Sequence, residues 1–250
     1  MNIKTHSGRC RIRTAILASA ICAIICIGCQ KQSATNDTET SQKEAASQTD
    51  EQVVEEMSET SLFDGESLAG WLQTDFGGQV EAKVVDGEIV LDMGSPLAGI
   101  NRNRDEKLPT SNYEISLEAK RTDGIDFFCG LTFPVQESYC TLIVAGWAGA
   151  TVGLSCVDGL DASSNDTSCV MDLKDHRWYK IRLKVTDEAI VCWIDDEEVI
   201  RQELKGHEIS IRPDVTACRP LGLCAFESAV AYRNIVLKQL KPASKTQVGK

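Results

Sequence analysis

Residues His176 to Ile200 read HRWYKIRLKVTDEAIVCWIDDEEVI, and this stretch decides the fold class. Apolar and polar side chains alternate strictly from residue 178 to residue 185. Tyr179, Ile181, Leu183 and Val185 face one way, and Trp178, Lys180, Arg182 and Lys184 face the other. A period of two predicts a half-buried strand, TDEA supplies a turn, and IVCWID begins a second strand running back. Acids 195 to 198 fall at the next turn, so the stretch is interpreted as scaffold and not as a catalytic site.

The same pattern continues on both sides of this hairpin. QVEAKVVDGEIVLDM consists of two alternating runs around Asp86-Gly87, which is a strong signal for a β-hairpin. NYEISLEAKR places Tyr113, Ile115, Leu117 and Ala119 on one face. No amphipathic helical run of useful length follows the N-terminal leader. Many short strands over roughly 190 residues predict one all-β domain, a two-sheet sandwich spanning residues 61–241, followed by a flexible tail at 242–250.

The N-terminus has the form of a secretory leader. Lys4, Arg9, Arg11 and Arg13 precede the apolar run TAILASAICAIICIG, which is short for a membrane-spanning helix. CIGC resembles a bacterial lipoprotein signal, with Cys26 where such signals usually carry Leu or Val. The resemblance implies a signal peptide at 1–28, lipid attachment at Cys29, and an exported protein anchored in the cell envelope, at the outer membrane or periplasmic face. The alternatives are an uncleaved anchor or an ordinary signal peptide cut nearby.

Residues 29–60 are polar, rich in Ser, Thr, Gln, Glu and Asp, and predict a disordered tether between lipid and domain. The formal net charge of the chain is -11. Nucleic acid and a basic patch for anionic lipid are therefore excluded as partners, because both require a positively charged surface. Neutral and cationic partners remain open.

Cysteine is abundant, with 11 in the chain, of which seven lie in the predicted domain. Export permits disulfides. Cys129 and Cys140 flank FPVQES and are predicted to make a cross-strand contact, and Cys218 and Cys224 are also close in sequence. Bridges and buried thiols acting as small apolar residues are both consistent with the sequence, and seven is an odd number.

Several segments resemble the 3-keto-disaccharide hydrolase domain family, whose members have the concanavalin A-like lectin/glucanase jelly roll. The entry SLFDGESLAGW with VVDGEIVL carries the resemblance, and so do RWYKIRLKV, IVCWIDDEEV, PLGLCAF and AYRNIVLKQL near the exit. The resemblance covers Ser61 to Leu240. It implies a jelly-roll sandwich that hydrolyses keto-sugar glycosides. DFFCGLTFPV departs from the family, whose members often carry an Asn-Ser-Gly-type segment at that place.

A jelly roll offers sugar a concave sheet with polar side chains and an aromatic platform. Glu114 and Glu118 are the predicted catalytic residues, and Trp147, Arg121 and Asp126 are the predicted substrate-binding residues. Two acids four residues apart on one strand are separated by about 13 Å, which is too far for a glycosidase pair, so one would need a partner from a neighbouring strand. The alternative for the two glutamates is a solvated strand face with cross-strand Lys or Arg partners.

The metal signals are weak. Asp158, Asp161 and Asp166 lie in VDGLDASSND, an oxygen-rich loop that predicts a calcium site or, alternatively, a loop of Asx-turns. His176 and His207, the histidines outside the leader, both lie beside turns. Neither G-x-S-x-G nor H-E-x-x-H occurs.

Three functions are therefore left open: a carbohydrate-active enzyme of the hydrolase type, a carbohydrate-binding module without turnover, and a structural envelope domain. The family resemblance favours the first. The second is favoured by the departure at DFFCGLTFPV and by the absence of E-x-D-x-x-E, an arrangement seen in many glucanases of this fold.

Overall fold

The computed structural model describes residues 56–77 and 80–242. The predicted signal peptide, the lipid-bearing Cys29, most of the tether and nearly all of the C-terminal tail lie outside the described residues. The first strand begins at Glu56, so it includes the last residues of the predicted tether, 56–60, and starts ahead of the predicted domain boundary at Ser61. Within the described ranges, no helix is both long enough and apolar enough to span a bilayer.

The described residues form an antiparallel two-sheet sandwich. Its strands are β1 (Glu56–Ser61), β2 (Trp71–Gln73), β3 (Lys83–Val85), β4 (Glu88–Leu91), β5 (Leu97–Arg102), β6 (Tyr113–Gly124), β7 (Cys129–Val135), β8 (Ser138–Ala145), β9 (Thr151–Ser155), β10 (Cys169–Val170), β11 (Tyr179–Val185), β12 (Ala189–Ile194), β13 (Glu197–Glu203), β14 (Gly222–Phe226) and β15 (Ser228–Leu240). A one-turn segment at Gly146–Gly149 and a 3-10 helix at Pro213–Cys218 complete the fold. The all-β class predicted from the alternation is confirmed.

The strands divide into two sheets. Sheet A has the order β13-β12-β11-β6-β15-β4-β3, with β1 paired to the far half of β15. Sheet B has the order β10-β9-β8-β7-β14-β5-β2. Neighbours such as β6 and β15 are far apart in sequence, which is the connectivity of a jelly roll and not of a simple meander.

The hairpins predicted from the sequence are confirmed. β11 pairs with β12 and β12 with β13, so the quoted stretch forms one edge of sheet A with its acids at a turn. Tyr179 and Leu183 of β11 are buried, whereas Lys180 between them is exposed. Asp86 and Gly87 have φ of 52° and 79°, as a two-residue type I′ turn between β3 and β4 requires.

The core between the sheets is apolar, with three buried tyrosines whose hydroxyls are all hydrogen-bonded. Tyr113 donates to the carbonyl oxygen of Pro134 at 2.6 Å, and Tyr232 donates to that of Phe128 at 2.8 Å. The hydroxyl of Tyr179 accepts the backbone N–H of Lys174 at 2.6 Å. A buried hydroxyl without a partner would destabilise the fold, so these bonds hold the loops in place against the core.

The predicted contact between Cys129 and Cys140 is wrong. The turn between β7 and β8 sets Val135 opposite Ser138, so Cys129 faces Val144 and Cys140 faces Phe133. The two cysteines are therefore offset by four positions along the strands, or about 13 Å.

All seven cysteines of the domain are buried, as the small-apolar interpretation predicted. Cys129, Cys140, Cys156, Cys192, Cys218 and Cys224 are thiols, and Cys169 is buried with them. Burial raises the pKa of Cys140 to about 12, because the thiolate would be desolvated. The buried thiols therefore pack as apolar side chains and not as nucleophiles.

Candidate functional site

The outer face of sheet B carries a glycine on each of four strands. Gly99, Gly130, Gly153 and Gly222 lie on β5, β7, β9 and β14. A Cβ at Gly153 would come within 2.7 Å of the Ala162 carbonyl oxygen, and one at Gly222 within 2.5 Å of the Cys218 carbonyl oxygen. A glycine inside a strand is a mark of close backbone approach. Loops therefore lie directly on this face and cover much of it.

A pocket of about 340 Å³ remains between these loops. Thr141 and Ile143 of β8 and Ser155 of β9 form its floor. Its walls include the aromatic side chains of Phe127, Phe226 and Trp147. Arg212 and Asp214, at the start of the 3-10 helix, supply charge at the wall on the β9 side. Such a concave, mainly apolar cavity with a few polar groups is the usual form of a small-molecule site.

Trp147 sits on a turn of unusual backbone geometry. Ala145, Trp147, Ala148 and Gly149 have φ of 67°, 48°, 65° and 86°, which is the left-handed region that side chains rarely adopt. Of the small neighbours predicted to let a ligand approach the ring, Gly149 adopts this conformation without a steric penalty, whereas Ala145 and Ala148 have a Cβ and adopt it at a cost. Trp147 is 40% exposed at the wall of the pocket. Left-handed residues of this kind concentrate at functional sites, where the surrounding structure holds them.

Asp126 holds this turn. Its Oδ2 accepts the backbone N–H of Ala148 at 3.0 Å, and its Oδ1 accepts the backbone N–H of Phe127 at 2.8 Å. Both carboxylate oxygens are thus engaged in fixing the two segments that carry Trp147 and Phe127. Asp126 therefore positions the pocket wall.

Arg121 supports Asp126 from the interior. The side chain of Arg121 is buried, and its Nη1 donates to the carbonyl oxygen of Asp126 at 3.0 Å. Its Nε donates to Asp175 at 2.5 Å, which pairs the buried guanidinium. Hydrogen bonds therefore connect Arg121 to Asp126 and Asp126 to Ala148, the residue that follows Trp147 at the wall of the pocket.

Arg212 links the pocket to the loop above sheet B. Its Nη1 contacts Asp161 at 3.2 Å and its Nη2 contacts Asp214 at 3.0 Å. The carboxylate of Asp161 also accepts the hydroxyl and the N–H of Ser163. Burial raises the pKa of Asp161, but these hydrogen bonds and the charge of Arg212 lower it by more. The pKa of Asp161 therefore lies below its usual value.

Glu114 and Glu118 do not join this group. Both lie on the outer face of sheet A, across the sandwich from the pocket, where Glu114 pairs with Arg182 at 3.1 Å and Glu118 with Arg233 at 2.7 Å. Arg182 and Arg233 are thus cross-strand cationic partners, as expected if the two glutamates belong to a solvated strand face. The row predicted on one concave face is thus divided: Asp126 and Trp147 line the pocket, Arg121 supports it from inside, and the two glutamates face away.

The candidate calcium ligands serve the loop itself. Asp158 accepts the N–H of Glu208 at 2.8 Å and contacts His207 Nδ1 at 2.7 Å, while Asp161 bonds Ser163 and Arg212. Asp166 is exposed, and the buried Asn165 beside it donates to three backbone carbonyls. Within residues 56–77 and 80–242, no three His, Cys, Asp or Glu side chains converge as a metal site would require. The second histidine, His176, is exposed on a turn.

Sequence reasoning identified only Asp126 and Trp147 among the residues that line the pocket. The polar and aromatic residues that it did not identify are Phe127, Thr141, Ser155, Arg212, Asp214 and Phe226. They come from five separate segments and meet only through the register of sheet B. The glycines spaced through its apolar strands were the available signal, since each marks a place where another segment lies on the sheet.

Comparison with known proteins places the domain within one family. The sequence profile of the 3-keto-alpha-glucoside-1,2-lyase-like domain matches residues 58–238, which is most of the chain. No curated protein sequence matches this chain.

Three solved structures illustrate the structural likenesses. Laminarinase from Flavobacterium sp. UMI-01 aligns with a TM-score of 0.47 and 9% identity over 75% of this chain and 100% of that chain. The carbohydrate-binding module CBM66 from Bacillus subtilis aligns with a TM-score of 0.42 and 11% identity over 68% of this chain and 96% of that chain. A Parabacteroides distasonis ATCC 8503 protein, assigned by inference to the glycosyl hydrolases, aligns with a TM-score of 0.45 and 17% identity. The alignment covers 73% of this chain and 94% of that chain. The fold is taken from the two sheets of this chain, and the family from the profile match.

Proposed function

This chain belongs to the 3-keto-alpha-glucoside-1,2-lyase-like domain family, and on that premise we propose that it acts on keto-sugar glycosides in the sheet B pocket. The observation that carries the proposal is the pairing of Arg212 with Asp214 at 3.0 Å beside an aromatic-walled cavity. In this proposal the protein is exported and lipid-anchored through Cys29, so the domain works in the cell envelope.

The chemistry of a 3-keto-glucoside explains why one acid and one cation are enough. The ketone at C3 acidifies the hydrogen on C2, so a carboxylate can remove it as a proton. The electron pair of that bond forms the C1–C2 double bond, the C1–O bond breaks, and the departing oxygen takes up a proton. Addition of water across the double bond then gives net hydrolysis. Asp214 is the proposed proton acceptor, and Arg212 the proposed partner of the oxygen that becomes negative at C3.

Two groups of the pocket are proposed to orient the substrate. The hydroxyls of Thr141 and Ser155 lie on the floor beside Arg212. Trp147 supplies an aromatic face on the opposite wall, fixed by Asp126 and Arg121. We thus keep the substrate-binding roles predicted for Trp147, Asp126 and Arg121. Trp147 is proposed to contact the substrate, and Asp126 and Arg121 are proposed to position the wall of the pocket.

Sugar release tests this proposal. The purified full chain is incubated with a 3-keto-glucoside, and release is expected to fall at least a hundredfold in Asp214→Asn and Arg212→Gln, since a missing base or oxyanion partner costs a factor of roughly 10² to 10⁴. Glu118→Gln is the matched control, because it removes a carboxylate of the opposite face. Loss of release in Glu118→Gln with full release in Asp214→Asn would instead support the catalytic role predicted for Glu118 and overturn the role of the pocket.

A binding module without turnover is the second candidate, and a particular observation favours it. Asp126 is engaged by two backbone N–H groups and Asp214 by Arg212, so both acids of the pocket already have partners. For a module, the full chain would bind the 3-keto-glucoside without release, and Trp147→Ala would abolish binding. Absence of binding to any glycan would exclude both candidates.

Anchoring is tested separately from activity. The full chain is expressed in a Gram-negative bacterium and the cells are fractionated. The wild-type chain is expected in the membrane fraction, and Cys29→Ser is expected in the soluble fraction, because the acylated cysteine is lost. Equal distribution of the two chains would contradict lipid attachment at Cys29.

A further inference from the structure

The register of sheet B arranges the pocket floor in rows that change in polarity. One row across the strands is Ser155, Thr141 and Thr132, joined by direct cross-strand pairing. The next row along the strands has Ile143 between Gly153 and Gly130. One further step brings Phe226, which pairs with Leu97. The floor therefore passes from hydroxyls to a methyl-rich centre to aromatic and aliphatic side chains.

The walls follow the same gradient. Ser210 exchanges backbone hydrogen bonds with Cys156 at 2.7 and 3.1 Å, which brings the segment of Arg212 and Asp214 alongside Ser155. At the other end, Phe127 stacks against Phe226 with ring centroids 5.9 Å apart and planes inclined by 31°. Pro96 and Trp147 extend this apolar end towards the surface. Charge and hydroxyls are thus concentrated at one end, and flat apolar surface at the other.

The two ends favour different chemical groups. A sugar ring buried at the apolar end would leave hydroxyls without partners, at about 1 to 3 kcal/mol each. Among the described residues that line this end, the acid is Asp126, and both its oxygens already accept backbone N–H groups. A flat apolar ring would instead gain roughly 25 cal/mol for each Å² that it buries.

We infer that the pocket takes a glycoside with a flat apolar aglycone, such as an aryl group, with the keto-sugar at the Ser155 end and the aglycone between Phe127, Phe226 and Trp147. This inference rests on the proposed function and names the substrate class for the same pocket. A disaccharide, which has a second polar ring, is the disfavoured ligand.

Two probes of equal glycone test it: phenyl 3-keto-glucoside and a 3-keto-glucosyl-glucose disaccharide. The purified full chain is expected to bind the phenyl probe at least tenfold more tightly in calorimetric titration. Phe226→Leu is expected to weaken phenyl binding about tenfold, because it removes the flat surface and keeps an apolar side chain. Phe76→Leu is the matched control, since Phe76 packs on sheet B at Gly99 and does not line the pocket.

The outcomes separate this inference from the proposed function. Equal binding of the two probes, or tighter binding of the disaccharide, would overturn the aglycone inference and leave the proposed function standing. Binding of neither probe would overturn both. Phenyl binding unchanged by Phe226→Leu and by Phe127→Leu would place the aglycone elsewhere and refute the assignment.

Discussion

The outer faces of the two sheets are covered in different ways. Sheet A covers itself with long charged side chains. Arg182 lies 3.7 Å from the centroid of Trp193, and Lys120 and Arg233 lie 4.3 and 4.1 Å from that of Trp178. Sheet B instead has glycines, on which loops lie directly.

The difference explains why the pocket of sheet B, and not the charged face of sheet A, is the candidate site. On sheet A Glu114 and Glu118 each have a cation beside them, and these cations, Arg182 and Arg233, also lie over the rings of Trp193 and Trp178. On sheet B the loops leave a cavity with few charges but with aromatic walls. A site requires a concave surface, and here concavity comes from the covering loops and not from the density of polar residues.

The largest expected effect comes from filling a glycine of sheet B. Gly222→Ala would place its Cβ 2.5 Å from the Cys218 carbonyl oxygen and 2.9 Å from that of Ile100, and neither backbone atom can rotate away. We expect a loss of about 3 kcal/mol in the free energy of unfolding, measured with denaturant. Ser116→Ala on sheet A is the control and should change it by less than about 0.5 kcal/mol. Equal losses would mean that the loops do not lie on sheet B as described.

Removal of the carboxylate that fixes the Trp147 turn should come next. Asp126→Ala leaves the N–H groups of Phe127 and Ala148 without their acceptor, so we expect a loss of about 2 kcal/mol and easier quenching of tryptophan fluorescence by acrylamide. Asp126→Asn keeps one acceptor oxygen and should recover part of the loss. Full wild-type stability in Asp126→Ala would contradict the positioning role.

A smaller effect is expected on the charged face. Glu118→Gln breaks a half-exposed pair with Arg233, which should cost less than about 1 kcal/mol in unfolding experiments. A double-mutant cycle with Arg233→Gln isolates the pair itself. A loss larger than that of Asp126→Ala would reverse the ranking of the two faces.

The smallest effect is a pH dependence in the loop above sheet B. The backbone N–H of Glu208, and then His207, hold the pKa of Asp158 below its usual value of 3.8. A lowered folded-state pKa stabilises the chain above pH 3.8, and this contribution is lost as the pH falls through the folded-state pKa. Asp158→Asn should therefore show a shallower loss of stability between pH 5 and pH 2 than the wild-type chain, by about the contribution of one carboxyl. An identical acid profile would show that the loop does not depend on this carboxylate.

The fold was predictable from local pattern, and the site was not. The alternation in Tyr179–Val185 and the turn at Asp86-Gly87 are local signals. Each depends only on residues that are neighbours in the chain, so a single sequence is enough to predict the strand and the hairpin. Alternation also showed correctly that Glu114 and Glu118 face outward. It could not show which outer face is concave, because that depends on the loops that cover sheet B and on the pairing of strands distant in sequence, such as β7 with β14.

The pocket residues were missed for the same reason. Thr141 and Ser155 become neighbours through the β8–β9 register, and Arg212 reaches them through the Ser210–Cys156 bonds. Each is an ordinary residue in its local sequence. Trp147 was identifiable because a tryptophan among small residues is unusual locally, and Asp126 because it lies near the polar row of β6. The hydrogen bond from the Ala148 N–H to Asp126 was not predictable.

The glycines of sheet B have a consequence for how such domains diverge. Because the covering segments meet sheet B at bare backbone and at a small apolar cluster separate from the main core, an insertion or exchange in them leaves the hydrophobic interior unaltered. The domain can thus acquire a new ligand through changes in its loop sequences while the core of the sandwich stays the same. Loop grafting between relatives is a direct way to use this property.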